Sequence, residues 1–387
     1  MDSVTMLWSG LAAAGAALWL CVLALPWQPW RGRERLEPVP AEDAADISLE
    51  DVTVLIPARD EATVIGDTLA ALGSQGRGLR AVLVDDRSGD DTAEVALQAA
   101  PEGIVLDVQA GAPLSEGWTG KLWALEQGRR RIETPLTLLL DADITLRPGM
   151  LRALLAKRAE TGAALVSIMA ALRMRGGWEK LLLPAFIFFF RLLYPFHLSN
   201  GPGRQVAASA GGCVLVETAV LVQIGGFEAI RGALIDDCAL ARAVKDAGHR
   251  TWIGVSRGAE SHRDYPTLGA VWRMVARTAY TQLLYSPVLL LLCTLLMALM
   301  FWAPIAGLGG PLAAQVASGV GLVGMTLCYL PTVRYYRLFS AWALTMPLIG
   351  TLYLAMTWHS ALRHWGGRRS EWKGRVYGRE PGGDRAA

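Results

Sequence analysis

The stretch LTLLLDADITL, residues 136–146, changes abruptly from apolar to acidic side chains. A leucine run ends at Leu140 and is followed by Asp141 and Asp143, with one residue between them. Carboxylates rarely lie against a buried strand unless something neutralises them. A divalent cation, Mg²⁺ or Mn²⁺, is a suitable partner, because it binds one or two carboxylates together with substrate phosphates. In an extended segment residues i and i+2 point the same way, so both carboxylates are expected to face one ion.

The region around this stretch, residues 50 to about 258, alternates short β-rich runs with helical stretches. Its predicted strands are VTVLI (52–56), AVLV (81–84), IVLDV (104–108), TLLL (137–140) and ALVSIMA (164–170). Its predicted helices cover 61–72, 91–100, 121–131 and 148–160. This alternation indicates an α/β fold, with a mostly parallel sheet that is covered on both faces. Ligands bind such sheets at the carboxyl ends of the strands.

Acidic or polar clusters follow three of these strands. PARDE (57–61) follows the first strand, DDRSGDDT (85–92) the second and DAD (141–143) the fourth. Each cluster alone has a simpler explanation, because Asp or Ser with Gly after a strand often makes a turn and caps the next helix. The three clusters are expected to converge on one edge of the sheet, and together they predict a site where a metal ion holds a diphosphate.

The N-terminal end of the chain is apolar and uncharged. Of the 387 residues 52% are hydrophobic, and a formal net charge of +2 gives no indication of a nucleic-acid partner. No charged residue lies between Asp2 and Arg31, and a bilayer span takes about 20 apolar residues. A cleaved signal peptide would carry positive charge before its apolar core, whereas here the arginines follow it. Residues 1–30 are therefore predicted to form an uncleaved transmembrane anchor.

A second apolar region, residues 284–362, is predicted to contain two or three transmembrane segments. No charged residue lies between Arg277 and Arg334, which suits two spans joined by a turn at 307–311. Positive charges favour the cytoplasmic side of a membrane. The chain is therefore expected to be a multi-pass protein of a bacterial-type inner membrane, and the charge pattern predicts that the domain at 50–280 lies in the cytoplasm.

The last apolar stretch, residues 338–362, leaves two topologies open. If it spans the bilayer, the basic tail at 363–387 lies outside, against the charge rule. If it is re-entrant and broken near Pro347, the tail stays inside.

A third apolar stretch, about 178–198, is interrupted by Arg191. A crossing there would put the acidic clusters on opposite sides of the membrane. The stretch is therefore predicted to be an interfacial helix in the headgroup layer, which favours a lipid as a substrate. A peripheral anchor without any role in substrate binding is the alternative.

The motifs together resemble the family 2 glycosyltransferases of the GT-A fold, over roughly residues 50 to 280. VTVLIPARDEA, VLVDDRSGDDT, LLLDAD and a later IDD follow in the order and spacing of that family. The resemblance implies a Rossmann-like α/β catalytic domain, followed here by α-helical transmembrane segments.

The resemblance also implies roles for individual residues. The nucleotide site is lined by Pro57, Arg59, Glu61 and Asp86, of which the last contacts the base of a UDP-sugar. Lys121, in GWTGKLWAL, is expected near the diphosphate or sugar, and Asp141 and Asp143 hold the metal.

An acidic pair, Asp236 and Asp237, precedes an amphipathic stretch at 239–247. Helix N-capping is one interpretation. In the family the second residue of this pair is the general base, which implies that Asp237 takes the proton of the acceptor hydroxyl. The family reaction is a single displacement that inverts the sugar's configuration.

One motif departs from the processive polysaccharide synthases of the family. They carry Q-x-x-R-W before the following span, whereas this chain has Met274, Arg277 and Thr278 at the Gln, Arg and Trp positions. This argues against a polymer-threading synthase. Arg273 and Arg277 are candidates for clamping phosphate, although positive charges that flank a span are also common.

The layout is similar to that of the hopanoid-biosynthesis-associated glycosyltransferases, which implies a hydroxylated apolar lipid as acceptor. Two alternatives remain: a polyprenyl-phosphate acceptor, and a non-catalytic membrane scaffold or transporter with a degenerate transferase domain. The intact acidic set argues against the scaffold, and uncharged spans argue against a transporter.

Overall fold

The computed structural model describes residues 3–39, 48–367, 371–372 and 375–376. Most of the predicted basic tail therefore lies outside the described residues. In chain order the elements are α1 (Ser3–Ala24), β1 (Val52–Ala58), α2 (Ile65–Gly73), β2 (Arg80–Asp85), α3 (Thr92–Gln98), β3 (Val105–Ala110), α4 (Gly120–Arg129), β4 (Leu136–Leu140), β5 (Ile144–Leu146), α5 (Met150–Thr161), β6 (Leu165–Leu172), α6 (Gly177–Leu193), α7 (Phe196–Asn200), β7 (Cys213–Glu217), α8 (Thr218–Gln223), α9 (Asp236–Asp246), β8 (Thr251–Ser261), α10 (Leu268–Ala276), α11 (Ala279–Gln282), α12 (Pro287–Met297), α13 (Ala303–Ala306), α14 (Leu312–Tyr335), α15 (Met346–Trp365), β9 (Glu371–Trp372) and β10 (Arg375–Val376).

The chain folds into two compact units. The helical unit comprises Met1–Arg33, Met174–Pro195 and Asp264–Arg368, and so contains α1, α6 and α10 to α15. The sheet unit comprises Glu34–Arg173 and Phe196–Arg263, together with the short strand pair β9–β10.

The sheet unit contains an eight-stranded sheet in the order β3-β2-β1-β4-β7-β6-β8-β5. The five strands predicted from the sequence are present as β1, β2, β3, β4 and β6. The half formed by β3, β2, β1 and β4 is parallel, whereas β7 is antiparallel to both of its neighbours. The α/β fold class is confirmed, and the far half of the sheet is mixed.

Strand β4 is buried on both faces, which explains its uninterrupted apolar sequence. Leu138 and Leu140 contribute to the core on one face of the sheet, and Leu139 contributes to the core on the other. Alternate side chains of a strand point to opposite faces, so a strand covered on both faces needs apolar residues throughout. Because β4 is buried up to Leu140, residue 141 lies directly at the carboxyl end of the strand.

Four helical stretches in the described part of the chain are long and apolar enough to cross a membrane. They are Ser3–Ala24, Pro287–Gly309, Leu312–Tyr335 and Ser340–Trp365. These stretches suggest membrane association. The predicted interfacial stretch forms α6, which packs within the helical unit: Phe188 meets the ring of Tyr329 at 5.4 Å, and the Tyr353 hydroxyl donates to the Leu182 carbonyl at 2.8 Å. The depth of α6 in a bilayer stays a prediction.

Helix α1 packs closely against the C-terminal helices of this unit. Trp19 is fully buried, and its Nε1 donates to the carbonyl of Met300 at 2.8 Å. A Cβ on Gly15 would overlap the backbone oxygen of Leu299, and one on Gly324 would lie 3.1 Å from the Cβ of Trp19. The close approach depends on small residues, as is common between membrane helices.

Replacing Gly15 by Ala is therefore expected to lower the melting temperature of the detergent-solubilised protein. The added methyl group must displace a backbone oxygen, and overpacking of this kind costs about 1–3 kcal/mol. Gly10→Ala on the same helix is the matched control, since a Cβ there meets nothing within 4 Å. Equal effects of the two substitutions would show that α1 is not packed as described.

Candidate active site

The acidic turn at the end of β4 differs in conformation from the extended segment that the sequence suggested. The amide of Ile144 donates to the carbonyl of Asp141 at 3.1 Å, which closes a turn through Ala142 and Asp143. The buried carbonyl of Ala142 accepts from the Thr68 hydroxyl at 2.8 Å. The expectation of an extended D-A-D segment is wrong, and the i, i+2 argument for a shared ion does not apply.

Asp141 has a cationic partner within the protein. The ammonium group of Lys121, in the first turn of α4, lies 2.7 Å from Oδ1 of Asp141 and 3.5 Å from Oδ2 of Asp236. Burial opposes the charged form of Lys121, but the attraction of Asp141 and Asp236 prevails and raises its pKa above the usual value. Lys121 is thus a permanent cation that joins the end of β4 to the start of α9.

Asp143 is buried and is held by residues at the end of β8. Its Oδ2 accepts from the Ser261 hydroxyl at 2.7 Å and lies 3.9 Å from Nε of Arg263. Arg263 also reaches Glu61, with 3.2 Å between Nη2 and Oε1. Ser261 and Arg263 were not predicted from the sequence, because β8 was not predicted. The polar residues at the end of the apolar run from 251 were the available signal.

Asp237 is fixed by backbone amides at the start of α9. Oδ2 accepts from Gly211 N at 2.9 Å, and Oδ1 accepts from Cys238 N at 2.8 Å. Burial, reinforced by the negative charge of Asp236, raises the pKa of Asp237 to about 6. A carboxylate with this pKa is ionised at neutral pH and is still basic enough to accept a proton.

Charged residues at the end of β4 and at the starts of α4 and α9 line one cleft. Its polar residues are Lys121, Asp141, Asp236 and Asp237, and Gly211 forms the wall that holds Asp237. The remaining lining is mostly apolar and comes from both faces of the sheet edge: Pro57, Leu122, Leu125, Leu139, Leu140, Val214, Phe227, Ile230 and Leu240. The structure therefore brings a candidate metal ligand and the candidate base to the same cleft.

The first two polar clusters form interlocked loops. Nη1 of Arg59 donates to the carbonyl of Asp86 at 2.5 Å, and the Asp86 amide donates to Ala58 at 2.8 Å. The amide of Glu61 donates to the Thr92 hydroxyl at 2.8 Å. Part of the second cluster thus stabilises the turn, as expected for Asp and Ser residues that follow a strand. Asp86 itself is fully buried beside Arg59.

These loops contain two non-glycine residues with left-handed backbone. Asp60 has φ of 51° and Arg87 has φ of 55°. Such conformations are unfavourable for L-residues and cluster at binding sites, where the surrounding structure holds them. The predicted nucleotide site is thus also the place where the backbone of the sheet unit is strained.

The buried carboxylate of Glu126 pairs with Arg129 on α4 and also connects this helix to the turn that ends at Phe227. Glu126 accepts from Nε and Nη2 of Arg129 at 2.9 and 2.6 Å, and from the amide of Phe227 at 3.1 Å. Burial would raise the pKa of Glu126, but these hydrogen bonds, above all the one from Arg129, lower it below the usual value. Because α4 carries Lys121, this pair fixes the Gly225–Gly226 turn relative to Lys121.

Arg273 and Arg277 belong to the helical unit. Arg273 is in α10, and Arg277 directly follows that helix. Their proposed contact with phosphate stays a prediction.

The described residues include no group of three His, Cys, Asp or Glu side chains arranged to hold a metal ion. Mg²⁺ does not need one, since it commonly binds one or two carboxylates and takes its other ligands from substrate phosphates and water. The Asp141 side chain is 32% exposed. Burial and the charge of Asp143 raise the pKa of Asp141, against the opposite effect of Lys121. The oxygen donors of Asp141 and Asp143 therefore fit a hard cation that arrives with a phosphorylated ligand.

The fold is a mixed α/β sheet with an acidic cleft at the strand ends, which is where α/β sheets bind their ligands. The family model of Glycosyltransferase like family 2 matches residues 50–281, more than half of the chain. The protein belongs to this family and is a glycosyltransferase that uses nucleotide-sugars. No curated protein matches the chain by sequence.

Several solved glycosyltransferase structures are similar to this chain. The mannosyltransferase PcManGT from Pyrobaculum calidifontis, in complex with GDP-Man and Mn²⁺, is similar with a TM-score of 0.56 at 16% identity, over 94% of this chain and 100% of that chain. S. aureus TarS 1–349 with UDP-GlcNAc has a TM-score of 0.37 at 13% identity, over 85% and 97%. Glucosyl-3-phosphoglycerate synthase from Mycobacterium tuberculosis, with Mg²⁺ and UDP, has a TM-score of 0.37 at 18% identity, over 60% and 78%. At such identities the likeness to PcManGT shows the fold alone.

Proposed function

We propose that this protein is a membrane-bound inverting glycosyltransferase that moves one sugar from a UDP-sugar to a lipid hydroxyl. The main support is that Asp237, Lys121 and Asp141 line the same cleft. This arrangement combines a base for the acceptor with charged groups for the leaving diphosphate.

The reaction is a single displacement at the anomeric carbon. The acceptor oxygen forms the new glycosidic bond while the bond from the anomeric carbon to the diphosphate oxygen breaks. The hydroxyl proton passes to Asp237, whose carboxylate is positioned by Gly211 N and Cys238 N. Asp236 supports this role, because its charge helps to raise the pKa of Asp237 and its position anchors Lys121.

Lys121 supplies positive charge to the leaving nucleoside diphosphate. Asp141 and Asp143 are the residues that would hold Mg²⁺ or Mn²⁺, which when bound neutralises the departing phosphate. Pro57, Arg59, Glu61 and Asp86 form the nucleotide side of the site. PcManGT was solved with a nucleotide-sugar and Mn²⁺, which supports this class of donor and cofactor.

The lipid acceptor is inferred from the helical unit. Three separate segments of the chain, which contain α1, α6 and the C-terminal helices, make up this unit, and four stretches are suited to a membrane. A cytoplasmic catalytic domain on a bacterial-type inner membrane would take its acceptor from the bilayer surface. A hydroxylated polycyclic lipid, such as a hopanoid, has the required apolar body and single hydroxyl.

The test is sugar transfer by the detergent-solubilised protein. Radiolabelled UDP- and GDP-sugars would be offered with Mn²⁺, Mg²⁺ or chelator, together with a total lipid extract. We expect a labelled lipid with a UDP-sugar and metal, and loss of that product in Asp143→Ala. Asp246→Ala, at the exposed end of α9, is the control and should retain activity.

Two results would contradict the proposal. Transfer only to water-soluble acceptors would exclude the lipid. No turnover of any donor, with no metal-dependent nucleotide binding in a calorimetric titration, would exclude the reaction.

A further inference from the structure

The last apolar helix has a direction that can be derived from its contacts. Residues Pro287–Gly309 form one helical stretch, in which a π-helical turn joins α12 to α13. Helix α14 returns antiparallel to it: Gly307 lies against Ser318, and Pro304 lies against Gly321. Residue numbers fall on one helix as they rise on the other, so the chain reverses at the turn between them.

Helix α15 is also antiparallel to the Pro287–Gly309 stretch. Nε1 of Trp302 donates to the Thr351 hydroxyl at 2.8 Å, and Nε1 of Trp358 donates to the Thr294 hydroxyl at 3.0 Å. The C-terminal part of α15 accordingly lies beside the start of α12.

The residues just before α12 confirm this arrangement. The amide of Tyr280 donates to the Ser360 hydroxyl at 3.1 Å, and the rings of Tyr285 and His364 stack at 4.4 Å. Aromatic side chains of this kind favour the membrane–water interface. The end of α15 and the start of α12 therefore share one level of the helical unit.

Two consecutive helices that are antiparallel to the same stretch are parallel to each other. A parallel pair needs a return segment, and only residues 336–345 are available between α14 and α15. Their second part, Ser340–Thr345, is a 3-10 helix that packs on α14. This segment must carry the chain back towards the far end of α14 before α15 begins.

The length of the return segment agrees with this path. Phe301 contacts both Trp19 and Gly350, and Trp19 contacts Gly324, so Gly324 and Gly350 lie at a similar level. Tyr336 and Arg337 close the end of α14, where the Leu338 amide donates to the Val333 carbonyl, so the return starts near the level of Val333. The helices rise about 14 Å from Gly324 to Val333 and about 6 Å from Gly350 to Met346, which leaves about 20 Å to cover. Residues 338–339 span at most about 7 Å and the six 3-10 residues span about 12 Å, which matches this distance.

We propose that residues 336–365 form a re-entrant hairpin, which enters and leaves the bilayer on the side where the chain connects to the sheet unit. The chain then crosses the membrane three times, and the basic tail at 363–387 emerges on the catalytic side. The inference rests on the membrane embedding in the proposed function, and it is independent of the reaction.

The charge pattern supports the same topology. Arg31, Arg334 and Arg363 fall on one side of the membrane, which removes the conflict that a fourth crossing creates.

Cysteine accessibility in intact cells tests the hairpin. Single substitutions Gly103→Cys, Gly309→Cys and Gly367→Cys would be treated with a membrane-impermeant maleimide before and after permeabilisation, with the wild-type signal subtracted. A Cβ at each position meets nothing within 4 Å. The left-handed backbone of Gly103 (φ 89°) and Gly367 (φ 68°) adds strain to those two variants, so the melting temperature of each variant would be checked against wild type first. Gly103 lies in the sheet unit and marks the catalytic side, and Gly309 lies in the turn before α14.

We expect Gly367→Cys to behave like Gly103→Cys and opposite to Gly309→Cys. Labelling of Gly367→Cys together with Gly309→Cys would overturn the hairpin and show a fourth crossing. Identical labelling of all three positions would overturn it as well, since the helices before it would not cross. The labelling requires no sugar transfer, so an inactive protein with the expected pattern would contradict the proposed function and leave the hairpin standing.

Discussion

Asp237→Asn is expected to lose at least a hundredfold in the rate of sugar transfer while the protein stays folded. An amide cannot accept the hydroxyl proton, and positioned general bases contribute about 10²–10⁴ to a rate. The Asn oxygen can still accept a backbone hydrogen bond, so the start of α9 should be preserved. The measurement is kcat and KM for lipid glycosylation at pH 7.5, with Asp246→Asn as the control on the same helix.

The pH dependence should carry the signature of the same group. Because the pKa of Asp237 is raised to about 6, the fraction of protein with a competent base falls as the pH falls through 6. In the wild type the rate should decline on this acidic side, and the small residual rate of Asp237→Asn should not. A wild-type profile that stays flat down to pH 5 would contradict the assignment.

Stability should change in the opposite sense to activity. The pKa of Asp237 in the folded protein lies above the ordinary value of 3.8, so the folded state binds the proton more tightly. The charged form therefore destabilises the fold above about pH 6, and this penalty disappears below pH 3.8. We expect the unliganded Asp237→Asn protein to melt no lower than wild type at pH 7.5.

Retained activity in Asp237→Asn would have a specific meaning. A polyprenyl phosphate is already ionised and needs no strong base, so transfer to it would survive the substitution. Treatment of the labelled product with mild acid would then distinguish the two acceptors, because a sugar phosphate is hydrolysed whereas a glycoside is stable.

The parts of the fold that could be predicted are those with local causes. The strands β1, β2 and β4 were predicted because both faces of each are buried, which leaves continuous apolar runs in the sequence. The acidic residue Asp141 stood out because it directly ends such a run. The start of α2 was placed too early at residue 61, because the Glu61 amide bonds to the hydroxyl of Thr92 at the start of α3.

The parts that could not be predicted depend on residues that are distant in the sequence. The D-A-D turn is set by packing against Thr68 and by Ser261, a partner 118 positions from Asp143. The antiparallel strand β7 and the ion pair between Lys121 and Asp141 arise from the chain path across the sheet. The sequence identified the candidate carboxylates, whereas only the structure reveals the cations that accompany them.

Lys121→Met is expected to separate metal binding from catalysis. The substitution keeps an unbranched side chain of similar length but removes the charge 2.7 Å from Asp141 and 3.5 Å from Asp236. Transfer should fall at least a hundredfold, because the leaving diphosphate loses a cation that is already in place. Mn²⁺ should bind the donor-free protein more tightly, because Lys121 no longer competes for the carboxylate of Asp141.

Both readouts can be taken on the same preparations. Mn²⁺ affinity would be measured by electron paramagnetic resonance without nucleotide, and transfer would be measured with saturating metal. Lys157→Met is the control, since Lys157 pairs with the largely exposed Glu160 on α5. Unchanged transfer together with weaker Mn²⁺ binding would show that Lys121 supports the metal site only through structure.

The same substitution should destabilise the fold over a defined pH range. The pKa of Lys121 is raised above its ordinary value of 10.5, so its stabilising charge is fully present at every pH below that value. Without it, Asp141, Asp236 and Asp237 repel one another, and removal of one partner of a buried pair costs about 3–5 kcal/mol. Since Lys121 is partly exposed, we expect a smaller loss, which Mn²⁺ should partly restore by taking over its charge at Asp141. A variant whose melting temperature neither falls nor responds to Mn²⁺ would contradict this account of the cleft.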